Sequence, residues 1–196
     1  MAINTDYIRE ILERFEGKGI SKGYVPADKS GKPLGASGVT IATGLDLGQQ
    51  TGAGLEKMGL PLRIVGLLRP YLGVKGQAAQ YLLVRTPLNL SREDVATIDA
   101  AVHAAYIDRA AGLFGRAAFE AAPREVQAVA ASLHYQFGGT VREASPALSR
   151  AWSAMRAGEY KRAAAILRDP SGWSPSHQQY LARRQGEAGL LDKAVA

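Results

Sequence analysis

Cysteine is missing from all 196 residues, which excludes disulfides, thiolate metal sites and thiol nucleophiles. No stretch approaches the ~18 consecutive apolar residues of a membrane-spanning helix, so no stable membrane insertion is expected. A secretion signal is not expected either, because Asp6, Arg9, Glu10, Glu13 and Arg14 interrupt any apolar core near the N-terminus. The histidines His103, His134 and His177 fall on different predicted helices without metal-ligand spacing, and each reads as a surface or packed residue. GxSxG is absent, and neither GVTIATG nor GQQTGAG leads into the Gly-Lys-Ser/Thr of a phosphate-binding loop. No metal and no organic cofactor is expected.

What remains is a globular composition with a basic bias. Apolar residues make up 46% of the chain, enough for a sizeable core, and the length suits a single domain, or one compact body with two lobes. A formal net charge of +6 attracts anionic partners such as envelope polymers, nucleic acid or acidic surfaces. The basic residues are scattered, with Arg183-Arg184 the densest pair, and no stripe or motif marks a nucleic-acid module. No nucleic acid is therefore expected as a partner.

Residues 5–15 read as an amphipathic helix, with Ile8, Ile11, Leu12 and Phe15 at helical spacing and Gly17 and Gly19 behind them. From Gly17 to Gly54 glycine recurs, Pro26 and Pro33 appear, and short alternating segments replace helical periodicity. Residues 28–33 form a turn cluster within this span, the one plausible sheet region. Beyond it the chain reads as helices over 54–58, 61–72, 76–84, 91–114, 117–137, 144–156, 159–168 and 175–192. Ser91 with an acidic first turn starts one of these, and Ser174-Pro175 starts the last. The expected organisation is a single domain, 1–196. Within it a small β lobe, 17–54, lies between a helix, 1–16, and a helical part, 55–196.

Chemistry belongs at the ends of these elements. Glu16 closes the first helix beside Phe15. It can serve as a general acid, protonated with help from an apolar neighbour, or it can be a solvated glutamate. A carboxylate at a helix C-terminus opposes the dipole, which counts against the second reading. Asp46 shares parity with Thr40, Ala42 and Gly44, yet six extended residues span about 20 Å, too far to act on one bond. Cooperation with Thr40 requires a bend near Thr43-Gly44, where glycine permits one. Otherwise Asp46 is an Asx-turn aspartate capping the next element. Two carboxylates and a hydroxyl in a glycine-rich cleft suit acid/base hydrolysis of a glycosidic bond.

The set FEG (15–17), GVTIATGLDLG (38–48), SLHYQFGGTV (132–141) and GWSPSHQQYLARRQGEAGLL (172–191) resembles the phage-type lysozymes, a family of muramidases. The resemblance runs over nearly the whole chain and keeps the family order. Common phage lysozymes place the second carboxylate before the threonine strand, where this chain offers Asp28. Here Asp46 follows Thr40, an order similar to the pesticin-like branch. The resemblance implies Glu16 as general acid, Asp46 as the carboxylate that handles water and Thr40 as its partner, with Asp28 as the fallback. It also implies that Tyr135, Gln136 and Phe137 contact the glycan, against the plainer reading of Phe137 as core and Gln136 as a helix-terminal residue. Arg183, Arg184 and Glu187 are expected to form a structural ion-pair network, and Trp152 and Trp173 to be core.

The expected protein is an α+β, lysozyme-like, two-lobed and monomeric muramidase acting on peptidoglycan glycan strands. Inversion is expected, with Glu16 and Asp46 about 6.5–9.5 Å apart. The alternatives are a lytic transglycosylase, or a non-catalytic peptidoglycan-binding protein on the same fold. The expected setting is a phage endolysin made in the host cytoplasm without its own signal. It would reach the periplasmic wall through a holin or a secretion system.

Overall fold

The computed structural model describes residues 2–17, 19–141, 143–173 and 180–195. The chain divides into two compact units, one of residues 16–105 and one of residues 1–15 with 106–196.

In the first unit, β1 (Ile20–Tyr24), β2 (Thr40–Ala42) and β3 (Leu45–Asp46) form an antiparallel sheet in that order. Between β1 and β2 lies the expected turn, closed by Asp28, whose Oδ1 accepts from Ser30 N, Ser30 Oγ and Lys32 N. Those bonds, the Ser30 hydroxyl foremost, hold the Asp28 carboxyl below its ordinary range. Helices α2 (Gly52–Lys57), α3 (Leu62–Leu68) and α4 (Gly76–Arg85) follow, then the first part of α5 (Arg92–Phe114). Ser91 caps α5 as expected, its Oγ accepting from Asp94 N at 3.0 Å. Val39, Ile41, Leu45, Leu47, Leu55, Ile64, Leu68 and Ile98 are buried and give this unit its core.

The second unit is helical. It holds α1 (Thr5–Glu16) up to Phe15, the end of α5, α6 (Arg116–Ala121), α7 (Arg124–Phe137), α8 (Pro146–Arg156), α9 (Tyr160–Arg168) and α10 (Leu181–Lys193). The span 117–137, expected as one helix, is two. Pro123 has no N–H to continue α6 and pushes Ala122 into extended backbone (φ −72°, ψ 150°). The carbonyls freed at the break are taken up by the buried amide of Gln127, which donates to Phe119 O and Ala122 O. The expected start of the last helix at Ser174-Pro175, and His177 with it, lies outside the described residues. Trp152 and Trp173 are both buried, and Phe114 meets Phe119 and Trp152 edge-on.

α10 packs on α7 and α9 and brings a charged group into the interior. Glu187 is fully buried; its Oε1 accepts from Ser132 Oγ at 2.6 Å and Arg184 Nη2 at 2.8 Å, and its Oε2 lies 2.8 Å from Arg184 Nε. Arg183 donates to Ser132 O and Ser132 Oγ. Burial pushes the Glu187 carboxyl up, against the two guanidiniums and the serine hydroxyl, which favour the ionised form. Arg183, Arg184 and Glu187 thus form the expected ion-pair network. Deleting the carboxylate strands the Arg184 guanidinium, itself buried, so Glu187→Ala should cost about 3–5 kcal/mol in urea denaturation.

His103 and His134 are packed rather than at the surface. Burial, with the Arg109 charge second, pushes the His134 imidazole below its ordinary 6.5. Above that value the ring is neutral in both states. As pH falls through it, the unfolded chain takes up the proton first, so stability is lost. Unfolding free energy should therefore decline as pH falls from about 7.5 through 6.5, and His134→Gln should flatten that slope.

Candidate active site

The sheet of residues 16–105 assembles the site from a tight hairpin. β2 and β3 pair with Thr40 opposite Asp46 and Ile41 opposite Leu45, joined by a turn at Thr43-Gly44. The bend that parity and distance demanded is present. Directly opposed residues share a face, so the hydroxyl and the carboxylate stand side by side. Ala42 just before the turn is left-handed (φ 57°), a conformation costing about 1–2 kcal/mol for a residue with a Cβ.

Asp46 is fixed by backbone. Its Oδ1 accepts from Gly38 N and Gly48 N, each at 2.9 Å, and caps the short 3-10 turn Leu47–Gln49. The capping reading of Asp46 is therefore correct. Among the described residues Oδ2 accepts no hydrogen bond, so one oxygen is structural and the other is available. Thr40 is buried, and its hydroxyl donates to Gly38 O at 3.4 Å.

Glu16 is the last residue of α1, with Gly17 following in the left-handed region (φ 84°) as the helix stop. The glutamate is exposed, while Phe15 packs on Gly186 and under the Arg183 guanidinium of α10. Asp28, the fallback carboxylate, spends its Oδ1 on the turn it closes.

Tyr24 is the β1 partner of Thr40, which extends the Thr40–Asp46 line across the sheet. It opens onto a groove of about 470 Å³ lined with Gln77, Gln80, Tyr81 and Val84 of α4. Gln77 Nε2 donates to Gln80 Oε1, and Gln80 Nε2 to Gly31 O, so the amides are oriented in advance. Tyr135, Gln136 and Phe137 form the last turn of α7 in the other unit. All three are half-buried: Tyr135 lies against Tyr106, Gln136 Oε1 accepts from Arg184, and Phe137 lies under the same guanidinium.

Sequence reasoning missed the residues that grip the hairpin turn. Thr43 donates from N and Oγ1 to Asp99 Oδ1 of α5, at 2.9 and 2.6 Å, and its hydroxyl also meets His103 Nε2 at 3.2 Å. A signal was available, since Asp99 interrupts the Val95–Val102 stripe of a predicted helix. Among the described residues no cluster of His, Asp or Glu could hold a metal ion. Gly38 and Gly48 are required by close approach: a Cβ on Gly38 would stand 2.5 Å from the Gly48 backbone and 2.6 Å from Val74 O. Gly38→Ala should accordingly lose about 1–3 kcal/mol of stability, read as a lowered thermal midpoint.

The family described as "Pesticin: Bacterial toxin homologue of phage lysozyme, C-term" matches residues 4–161. Among solved structures, a mutant of P22 lysozyme is similar over 97% of this chain and 98% of its own, with a TM-score of 0.53 and 17% sequence identity. At that identity the likeness concerns the fold. No curated protein sequence matches. A glutamate-terminated first helix, a three-stranded sheet and a set of helices thus sit on a lysozyme-like α+β fold. The chain belongs to the pesticin family of phage-lysozyme homologues.

Proposed function

We propose that this chain is a muramidase that hydrolyses the β-1,4 bond between N-acetylmuramic acid and N-acetylglucosamine in peptidoglycan. The observation that carries the reading is the pairing of Thr40 with a half-buried Asp46 whose one oxygen is fixed by two amides. A carboxylate held in this way orients a water through Oδ2, with the Thr40 hydroxyl beside it, and takes the water's proton as it attacks. Glu16 supplies the proton to the leaving oxygen. Attack by water on the face opposite the acid inverts the anomeric centre. Two carboxylates suffice for this chemistry, and no cofactor is invoked.

Substrate recognition follows from the groove beside the line. Tyr24 and Tyr81 offer ring faces for pyranose stacking, and the amides of Gln77 and Gln80 suit hydroxyl and acetamido groups. Tyr135, Gln136 and Phe137 contact the glycan in the same reading. The +6 charge favours adsorption to an anionic wall. The setting we propose is a monomeric phage endolysin, made in the host cytoplasm and released to the periplasmic wall by a holin or secretion system.

Release of reducing ends from purified peptidoglycan tests the reading. Glu16→Gln, at an exposed position, should keep the fold and lower the rate by about 10²–10⁴-fold. Asp46→Asn preserves an oxygen acceptor for both glycine amides and should also be inactive. The first product of the wild type should be the α-anomer by NMR. A folded Glu16→Gln protein with undiminished activity would remove the acid. An Asp46→Asn protein that still cuts and leaves 1,6-anhydro ends would indicate a lytic transglycosylase.

A further inference from the structure

We propose that Asp99 is a positioning residue for the reaction, holding the Thr40–Asp46 hairpin against the chain that leaves Glu16, with His103 as its brace. The proposal rests on the reading of Glu16, Thr40 and Asp46 as the reacting groups.

Asp99 Oδ1 receives both the amide and the hydroxyl of Thr43, the turn residue between Thr40 and Asp46. A carboxylate that collects two donors from one residue fixes that residue's position and orientation together. The hydroxyl has one proton, and the 2.6 Å contact to a carboxylate oxygen uses it. Thr43 Oγ1 is then the acceptor towards His103 Nε2 at 3.2 Å, so the imidazole carries its proton on Nε2. Asp99 and His103 are one helical turn apart on α5 and grip the hydroxyl from the same helix face.

The other side of the carboxylate faces a second chain segment. At Gly19 a Cβ would stand 2.3 Å from Asp99 Oδ2 and 2.7 Å from Val95 Cγ1, so the backbone three residues after Glu16 lies directly on Asp99. One carboxylate therefore sits between the exit of α1 and the turn of the hairpin. The neighbouring Ala42, held left-handed, shows that this turn is kept in a conformation it would not adopt unaided. A displacement of about 1 Å between acid and water-handling carboxylate is enough to cost about 100-fold in rate.

Two measurements test this. In the first, kcat and KM on peptidoglycan are compared for wild type, Asp99→Ala and Asp99→Asn, each confirmed as folded. Asp99→Ala should lower kcat by about 100-fold with KM little changed, and Asp99→Asn, whose carbonyl oxygen accepts the same two bonds, should recover most of it. In the second, hydrogen exchange at the Thr43 amide is followed, which needs no activity. Asp99→Ala should speed it at least tenfold, and His103→Gln less. A folded Asp99→Ala protein with wild-type kcat overturns the proposal, as does an asparagine variant no better than alanine. If Asp99→Ala does not fold, Thr43→Val removes only the hydroxyl bonds and should lower kcat at constant KM; wild-type kcat there also overturns it. An inactive wild type would defeat the muramidase reading instead, and unchanged Thr43 exchange would separately defeat the anchoring.

Discussion

Two backbone amides, from Gly38 and Gly48, converge on one oxygen of Asp46, and much of the sheet-bearing unit is arranged around that convergence. Buried N–H groups need acceptors, and a carboxylate oxygen is among the strongest available. The two glycines approach so closely that no side chain fits between them, and Val74 O occupies the remaining space. Neighbouring bonds then follow: Leu47 N reaches Val39 O, Gly73 N reaches Leu47 O, and Gly76 N reaches Ser37 O. The start of α4 is thereby seated beside the hairpin. Through α4 the glutamines and Tyr81 take their places next to Tyr24.

Each unit organises itself about a carboxylate, and the contrast between them is informative. Glu187 is wholly buried: its Oε1 accepts from Ser132, Arg183 and Arg184, and its Oε2 lies against the Arg184 guanidinium. Such a group is shut off from solvent and holds helices in register. Asp46 is half-buried, with one oxygen saturated and the other outside that arrangement. The backbone thus sets the orientation of the Asp46 carboxylate through one of its two oxygens.

The hairpin itself is short and strained. β2 and β3 contribute three and two residues, and Ala42 carries an unfavourable φ. So few ladder bonds cannot hold a fixed geometry alone, and stability comes from outside the hairpin at both ends. Asp46 closes the open end onto the two glycines, and α5 takes the turn through Asp99.

Several features were legible in the residues because they depend on near neighbours. Gly17 ends α1 at Glu16, Ser91 starts α5, and the pairing of Thr40 with Asp46 required a bend that only Thr43-Gly44 could supply. The break at Pro123 was equally local, but apolar periodicity continues on both sides of it and masks the interruption. Tertiary structure decided the rest. Asp46 turned out to be both cap and partner of Thr40, since one oxygen goes to Gly38, eight residues away, and pattern alone offers only one role at a time. Asp99 grips Thr43 across 56 positions and Ser132 meets Glu187 across 55; local periodicity marks Asp99 as an interruption of an apolar stripe but names no partner for either contact. Residue type and spacing determined which polar groups this chain brings to its turns and helix ends; burial and long-range approach determined which of their atoms are bound by the fold and which are not.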